Sequence, residues 1–202
     1  MTIEELEKEL KIGKLDSLYL LYGEEQYLLE QCTKRIKKNF GELINGINYV
    51  QIDEKNVDKL ISDIETPAFG YPKKLILVRN SEILKKEGKR IFVKNSGLFK
   101  KETRGKKKED KPTKRNQKSE SLQEKISKYI TENIETIKET LVLVFIEQDI
   151  GTNELVKTLQ KLGTVSNFEK LKPIQISKRI KTICNAYKVN IDDRTINYFI
   201  EI

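Results

Sequence analysis

The chain has no histidine and only two cysteines among its 202 residues. The missing histidine excludes every catalytic mechanism that depends on an imidazole base. Cys32 and Cys184 each stand alone in a helical pattern, so they are spaced neither as metal ligands nor as a redox pair. We expect both to be small, core-facing residues of a protein in a reducing compartment.

Long hydrophobic runs are absent as well. No apolar stretch approaches the ~20 residues that a membrane-spanning helix needs. The first residues, MTIEE, are acidic and lack the apolar region of a secretion signal. We therefore expect a cytoplasmic protein that has no membrane partner.

A glycine-poor turn stands where a nucleotide-binding protein would carry its phosphate loop. The apolar run at 18–22 predicts a strand, and a helical pattern begins after the turn at 23–26. A phosphate loop needs several glycines, a lysine and a serine or threonine. This turn has only Gly23, together with Glu24 and Glu25, whose carboxylates repel phosphate. We expect no nucleotide cofactor here.

Acidic residues for a metal are also missing from the third predicted strand. Arg79 and Asn80 end that strand, where an active ATPase carries the acidic pair that serves Mg²⁺ and water. Glu147 and Asp149 follow the most apolar strand, but no phosphate-binding lysine accompanies them, which disfavours a metal site. We expect no bound metal and no catalytic site.

The positive charge is concentrated in one segment. The chain carries a net charge of +8, and residues 100–118 contain ten basic and three acidic residues, which leaves +1 for the rest. Residues 94–120 lack apolar periodicity and predict a solvated, loosely held insertion. Weak, salt-sensitive contact with DNA phosphates is the alternative. The candidate DNA-contacting residues are Lys106, Lys107, Lys108, Lys114 and Arg115.

Strand and helix patterns alternate along most of the chain. Strands are predicted at 18–22, 47–52, 74–79, 141–146 and 164–168, and helices at 2–11, 25–39, 57–65, 121–138 and 153–162. This alternation predicts an α/β domain with a five-stranded parallel sheet over residues 1–171. Residues 172–202 read as purely helical and stop in mid-pattern, so we expect the start of an all-α domain in a fragment of a longer protein.

Several short segments, taken in order, resemble the delta subunits of bacterial DNA polymerase III, which belong to its clamp loader. They are LLYGEE at 20–25, PAFG at 67–70, KKLILVRN at 73–80, LVLVFI at 141–146 and FEKL at 168–171. The resemblance covers most of residues 15–90 and 121–202. It implies an AAA+-like, P-loop-type domain without a working ATP site, followed by a helical lid domain.

The resemblance also implies partners and a contact site. The partners would be the sliding clamp, other clamp-loader subunits bound through a further C-terminal part, and DNA only weakly. The clamp-binding element would comprise Thr66, Pro67, Ala68 and Phe69, with Phe69 as the anchor. Family members commonly carry a larger aliphatic residue at the position of Ala68. The alternative for Phe69 is that it folds back onto its own domain.

Two functions stay open at this point. The first is a non-catalytic subunit of the DNA polymerase III holoenzyme, a nucleotidyltransferase complex, that binds and opens the sliding clamp while other subunits hydrolyse ATP. The second is a degenerate P-loop-type protein that binds nucleotide or nucleic acid by itself. An ATP-binding assay separates them.

Overall fold

Five parallel strands form the central sheet of the computed structural model, which describes residues 1–85 and 121–201. The strands are β1 (Leu18–Tyr22), β2 (Tyr49–Ile52), β3 (Lys74–Arg79), β4 (Leu141–Glu147) and β5 (Thr164–Asn167). Their order across the sheet is β2-β3-β4-β1-β5, and every neighbouring pair is parallel. The α/β fold with a five-stranded parallel sheet is therefore confirmed.

Within the described residues, eight α-helices accompany this sheet, and the first six contribute the side chains that cover its two faces. They are α1 (Ile3–Lys11), α2 (Gln26–Phe40), α3 (Leu60–Glu65), α4 (Leu122–Glu132), α5 (Ile134–Thr140), α6 (Glu154–Leu162), α7 (Pro173–Ala186) and α8 (Asp193–Glu201). Side chains alternate between the two faces along each strand, so Leu20 and Phe145 pack with α3 to α6, while Leu21 and Val144 pack with α1 and α2. The result is two hydrophobic layers separated by the sheet.

Two predicted helices are interrupted, and one of the interruptions has a visible local cause. The helix predicted at 121–138 divides into α4 and α5 at Asn133. The side-chain amide of Asn133 donates to the Tyr129 carbonyl oxygen at 2.9 Å, the kind of local bond that competes with helical backbone pairing. The helix predicted at 57–65 begins as a 3-10 turn, Val57–Lys59, before α3.

The second strand begins two residues later than the sequence pattern predicts. Asn48, which is 1% exposed, organises the preceding loop. Its side-chain oxygen accepts from the Ile44 N–H at 2.6 Å, and its side-chain amide donates to the Glu42 carbonyl oxygen at 2.9 Å. These bonds hold residues 42–48 as a loop, so that Ile47 is exposed rather than part of β2.

The chain after residue 172 is helical, as the sequence predicts. None of the side chains of α7 is buried, whereas Ile196 of α8 is fully buried. Arg179 on α7 forms an ion pair with Glu7 on α1 at 3.2 Å. The division into domains at residue 172 stays a prediction. No helix within residues 1–85 and 121–201 combines the length and apolar content that crossing a bilayer would require.

Candidate functional site

The predicted partner-binding element is an exposed loop at the amino-terminal edge of the sheet. We call residues 66–70 the Phe69 loop. They leave the end of α3 and precede β3, and Phe69 is 75% exposed at their tip. Thr66 and Pro67 are exposed and Ala68 is half-buried. The alternative in which Phe69 folds back onto its own domain does not describe this structure.

Local hydrogen bonds set the course of the Phe69 loop. The Thr66 N–H donates to the Ser62 carbonyl oxygen at 3.1 Å, which closes the last turn of α3. Thr66 is itself extended, with φ −74° and ψ 120°, and Pro67 follows it with no N–H to continue the helix. The Tyr71 N–H donates to the Ala68 carbonyl oxygen at 2.9 Å, while Gly70 supplies the left-handed φ of +82°. The chain is thus turned so that Phe69 projects outward.

The turn at residues 23–26 lies at the opposite, carboxyl-terminal edge of the sheet, and three of its four backbone N–H groups donate within the protein. The Gly23 N–H donates to the Glu147 carbonyl oxygen at 3.2 Å, and the Glu25 N–H donates to that of Phe168 at 2.9 Å. The Gln26 N–H donates to the Glu24 carbonyl oxygen at 2.9 Å. A phosphate loop binds anions through free N–H groups. In this turn those three groups serve the protein's own carbonyl oxygens.

Gly23 is required here by a close approach of backbone. Its φ is +135°, and a Cβ atom added to it would lie 2.2 Å from the Phe168 carbonyl oxygen. Beside it, Glu24 forms an ion pair with Lys170 at 3.0 Å. Both side chains of that pair are well exposed, so it contributes little to stability. The segment that follows β5 therefore packs directly against the turn.

The two acidic candidates of the fourth strand have different environments. Asp149 is exposed, whereas Glu147 is 2% exposed at the end of β4. One carboxylate oxygen of Glu147 accepts from both the N–H and the hydroxyl of Ser81, each at 2.7 Å. Burial raises the pKa of the Glu147 carboxyl, and the Ser81 donors oppose that rise. Glu147 therefore anchors the turn after β3.

The turn at residues 80–82 has an unusual backbone conformation, which the hydrogen bonds between Ser81 and Glu147 help to stabilise. Asn80 and Glu82 have positive φ values of 50° and 61°. Such conformations cost free energy in residues other than glycine and persist where the surroundings enforce them. Arg79, just before the turn, pairs with Glu30 on α2. Within residues 1–85 and 121–201, no cluster of three or more acidic or cysteine side chains could hold a metal ion.

Glu147→Ala is expected to lower the free energy of unfolding by about 2–4 kcal/mol, because it leaves two buried Ser81 donors without an acceptor. Glu147→Gln keeps an acceptor oxygen and should change stability by less than about 1 kcal/mol at neutral pH. Asp149→Ala, an exposed carboxylate two residues away, is the control. Urea denaturation of the four proteins measures the difference, and equal effects of Glu147→Ala and Asp149→Ala would contradict the anchoring role.

The pH dependence of this anchor follows from its raised pKa. The native pKa of Glu147 lies above its ordinary value of 4.5, so in the window between the two the native state binds more protons than the unfolded chain. Stability contributed by this carboxyl is present below 4.5 and is lost as pH rises through the native pKa. The unfolding free energy of the wild type relative to Glu147→Gln should therefore fall as pH rises across that window.

The remaining candidates cannot be placed. Lys106, Lys107, Lys108, Lys114 and Arg115, the candidate DNA contacts, lie outside the described residues, as does the insertion at 94–120. The sequence analysis missed the contact between Glu147 and Ser81, whose partners are 66 residues apart. It also missed that the side chain of Lys74, the first residue of β3, is buried and donates to the Asp63 and Thr66 carbonyl oxygens. The only indication in the sequence is a lysine at the start of an apolar strand.

Comparisons with known proteins agree with this fold and with the sequence resemblance. The sequence model of the family "DNA polymerase III, delta subunit" matches residues 19–101, a span that includes the turn at 23–26 and the Phe69 loop. DNA polymerase III subunit delta of Bacillus subtilis (strain 168) is 31% identical over 92 residues, which are 44% of this chain and 26% of that protein. The resemblance to delta subunits is confirmed.

A solved structure supports the fold over nearly the whole chain. The DNA clamp loader delta protein (YqeN) of Bacillus subtilis aligns with a TM-score of 0.63 and 20% identity, covering 98% of this chain and 51% of that one. At this identity the likeness concerns the fold alone, and it agrees with the α/β fold that the sequence predicts. The chain thus spans about half the length of the solved relative and 26% of the curated one.

Proposed function

We propose that this chain acts in a DNA clamp loader as a delta subunit of DNA polymerase III, and that it binds and opens the sliding clamp without hydrolysing ATP itself. One observation carries the proposal. Phe69 is 75% exposed on a loop that lies within the span matched by the delta-subunit family. A large exposed aromatic side chain on an ordered loop is suited to insertion into a pocket of a partner.

A single phenylalanine can contribute a substantial part of the free energy of such a contact. Burying a phenylalanine side chain in a partner contributes ~1.5–3 kcal/mol, and single aromatic anchors often dominate small interfaces. Opening of the clamp would follow from differential binding. If the Phe69 loop binds an opened clamp interface more tightly than a closed one, it shifts the clamp toward the open form.

The absence of ATP hydrolysis in the proposal rests on the turn at 23–26. Three of its four N–H groups donate to protein carbonyl oxygens, and Glu24 and Glu25 place negative charge beside them. ATP would have to break those bonds and overcome that repulsion. We propose that other subunits of the loader supply the ATP-driven step and that this chain assembles with them in the cytoplasm. Weak contact with DNA through the basic residues at 100–118 stays a prediction from the sequence.

Two binding measurements on the same protein test the proposed function. We expect surface plasmon resonance to detect saturable binding of the chain to the sliding clamp of the same organism. We expect isothermal titration with ATP and Mg²⁺ to detect no binding, because three of the four N–H groups of the turn are occupied and two carboxylates lie beside them. Saturable ATP binding without clamp binding would contradict the proposal and would favour the degenerate nucleotide-binding protein instead.

A further inference from the structure

A buried lysine lies directly beneath the helix that carries the Phe69 loop. Lys74 is the first residue of β3, pairs with Leu141 of β4 and is 2% exposed. Lysine is seldom buried to this extent unless its ammonium group is well bonded. The alternation along β3 puts Lys74 on the same face as Ile76 and Val78, which is the face that α3 covers.

Both hydrogen bonds of the Lys74 ammonium group go to the chain segment where α3 ends and the Phe69 loop begins. The Nζ atom donates to the Asp63 carbonyl oxygen at 2.7 Å and to the Thr66 carbonyl oxygen at 2.9 Å. Carbonyl groups in the last turn of a helix have no partner within the helix, and a positive charge there is favourable. Lys74 therefore caps the carboxyl end of α3 from the side of the sheet.

These bonds fix one end of the loop while a backbone bond fixes the other. The Thr66 carbonyl group is the point at which the chain turns out of α3, and Lys74 holds it against the sheet. At the far end, the Tyr71 N–H donates to the Ala68 carbonyl oxygen at 2.9 Å. Phe69 lies between these two fixed points, although its own side chain makes little contact with the domain.

We propose that Lys74 is a positioning residue for partner binding, whose buried ammonium group pre-organises the Phe69 loop in the free protein. This inference rests on the proposed function, because it assumes that Phe69 contacts the clamp. Lys74 itself cannot reach a partner, since almost none of its surface is exposed. A loop that is ordered before binding loses less conformational entropy when it binds, so the same contact gives higher affinity.

Lys74→Met tests the proposal, because methionine keeps an unbranched apolar chain and removes the donors. We expect clamp affinity to fall about tenfold, as ordering the loop now opposes binding. Lys73→Met is the matched control. The Lys73 ammonium group donates to the Lys138 carbonyl oxygen at 2.9 Å, away from the loop, so its removal should change clamp affinity less than twofold. Equal affinities of the two variants would overturn the proposal.

A double-mutant cycle distinguishes positioning from general damage. If Lys74 acts through Phe69, then Lys74→Met should cost little additional affinity in a protein that already carries Phe69→Ala. A full tenfold loss in that background would overturn the proposal. If Phe69→Ala alone leaves clamp affinity unchanged, the proposed function fails as well. If Phe69→Ala weakens binding and Lys74→Met does not, only the role of Lys74 is wrong.

Amide hydrogen exchange tests the proposal without the clamp and without relying on the stability of a variant. In the free wild-type protein, the amides of Thr66 and Tyr71 should already be protected, because both donate hydrogen bonds within the ordered loop. In folded Lys74→Met they should exchange faster, whereas in Lys73→Met they should not. Unprotected amides at both positions in the wild type would overturn the proposal whether or not Lys74→Met folds.

Discussion

Phe69→Ala is expected to weaken binding to the sliding clamp about 30-fold while leaving thermal stability nearly unchanged. The side chain is 75% exposed, so its removal creates no cavity in the domain. If a partner buries it, truncation removes ~2 kcal/mol or more of binding free energy. A core phenylalanine would behave in the opposite way, because its loss costs ~3–5 kcal/mol of folding stability.

The measurement pairs thermal melting with surface plasmon resonance on the immobilised clamp. Phe199→Ala on α8 is a matched control, because Phe199 is the same residue type and is 58% exposed on a different part of the chain. We expect that control to change neither quantity. A large drop in melting temperature for Phe69→Ala would make Phe69 a core residue. Unchanged melting with unchanged affinity would place the clamp contact elsewhere.

Local patterns predicted the strands well where their ends are set by local chemistry. The bounds of β1 and β3 match the strands predicted at 18–22 and 74–79, because turn-forming or polar residues limit the apolar run of each. The start of β2 could not be predicted in the same way. In the sequence, Ile47 and Asn48 extend the alternating pattern of β2 toward the amino terminus. In the structure, the buried Asn48 side chain instead forms hydrogen bonds with the backbone of its own loop. Whether residues 47 and 48 join the strand or the loop therefore depends on three-dimensional packing.

The candidate site was predictable in part for the same reason. Pro67 and Gly70 mark a break in the chain, and an apolar residue between them on a loop is expected to be exposed, as Phe69 is. The sequence did not indicate the buried residues that hold the two turns in place. Lys74 bonds to backbone carbonyl oxygens, which every residue has, so no residue type identifies its partners. Glu147 and Ser81 meet only because β3 and β4 are neighbours in the sheet.

The two candidate regions lie at opposite edges of the sheet, and this separates their roles. In open α/β sheets, ligands usually bind outside the carboxyl ends of the strands. The turn at 23–26 lies at that edge, but the chain after β5 packs against it. The Phe69 loop lies at the amino ends, where no nucleotide is expected. A change at one edge should therefore leave the other intact, provided that the sheet stays folded.

Gly23→Ala is expected to destabilise the protein by about 3 kcal/mol, which corresponds to a fall in melting temperature of about 6–12 °C. Two effects add. An alanine Cβ atom would lie 2.2 Å from the Phe168 carbonyl oxygen, so the backbone of one segment must move. The φ of +135° is also unfavourable for any residue with a side chain.

Gly46→Ala separates these two effects. Gly46 also has a positive φ, of +79°, but nothing lies within 4 Å of an added Cβ atom, so only the backbone conformation is strained there. We expect a cost of about 1 kcal/mol at Gly46, and differential scanning calorimetry of both variants measures the difference. Equal losses would mean that the segment after β5 does not press against the turn, and one reason for expecting no ATP binding, the bond from the Glu25 N–H to the Phe168 carbonyl oxygen, would be lost. A clearly larger loss at Gly23 would support that packing, because of these two glycines only Gly23 has backbone atoms close to an added Cβ atom.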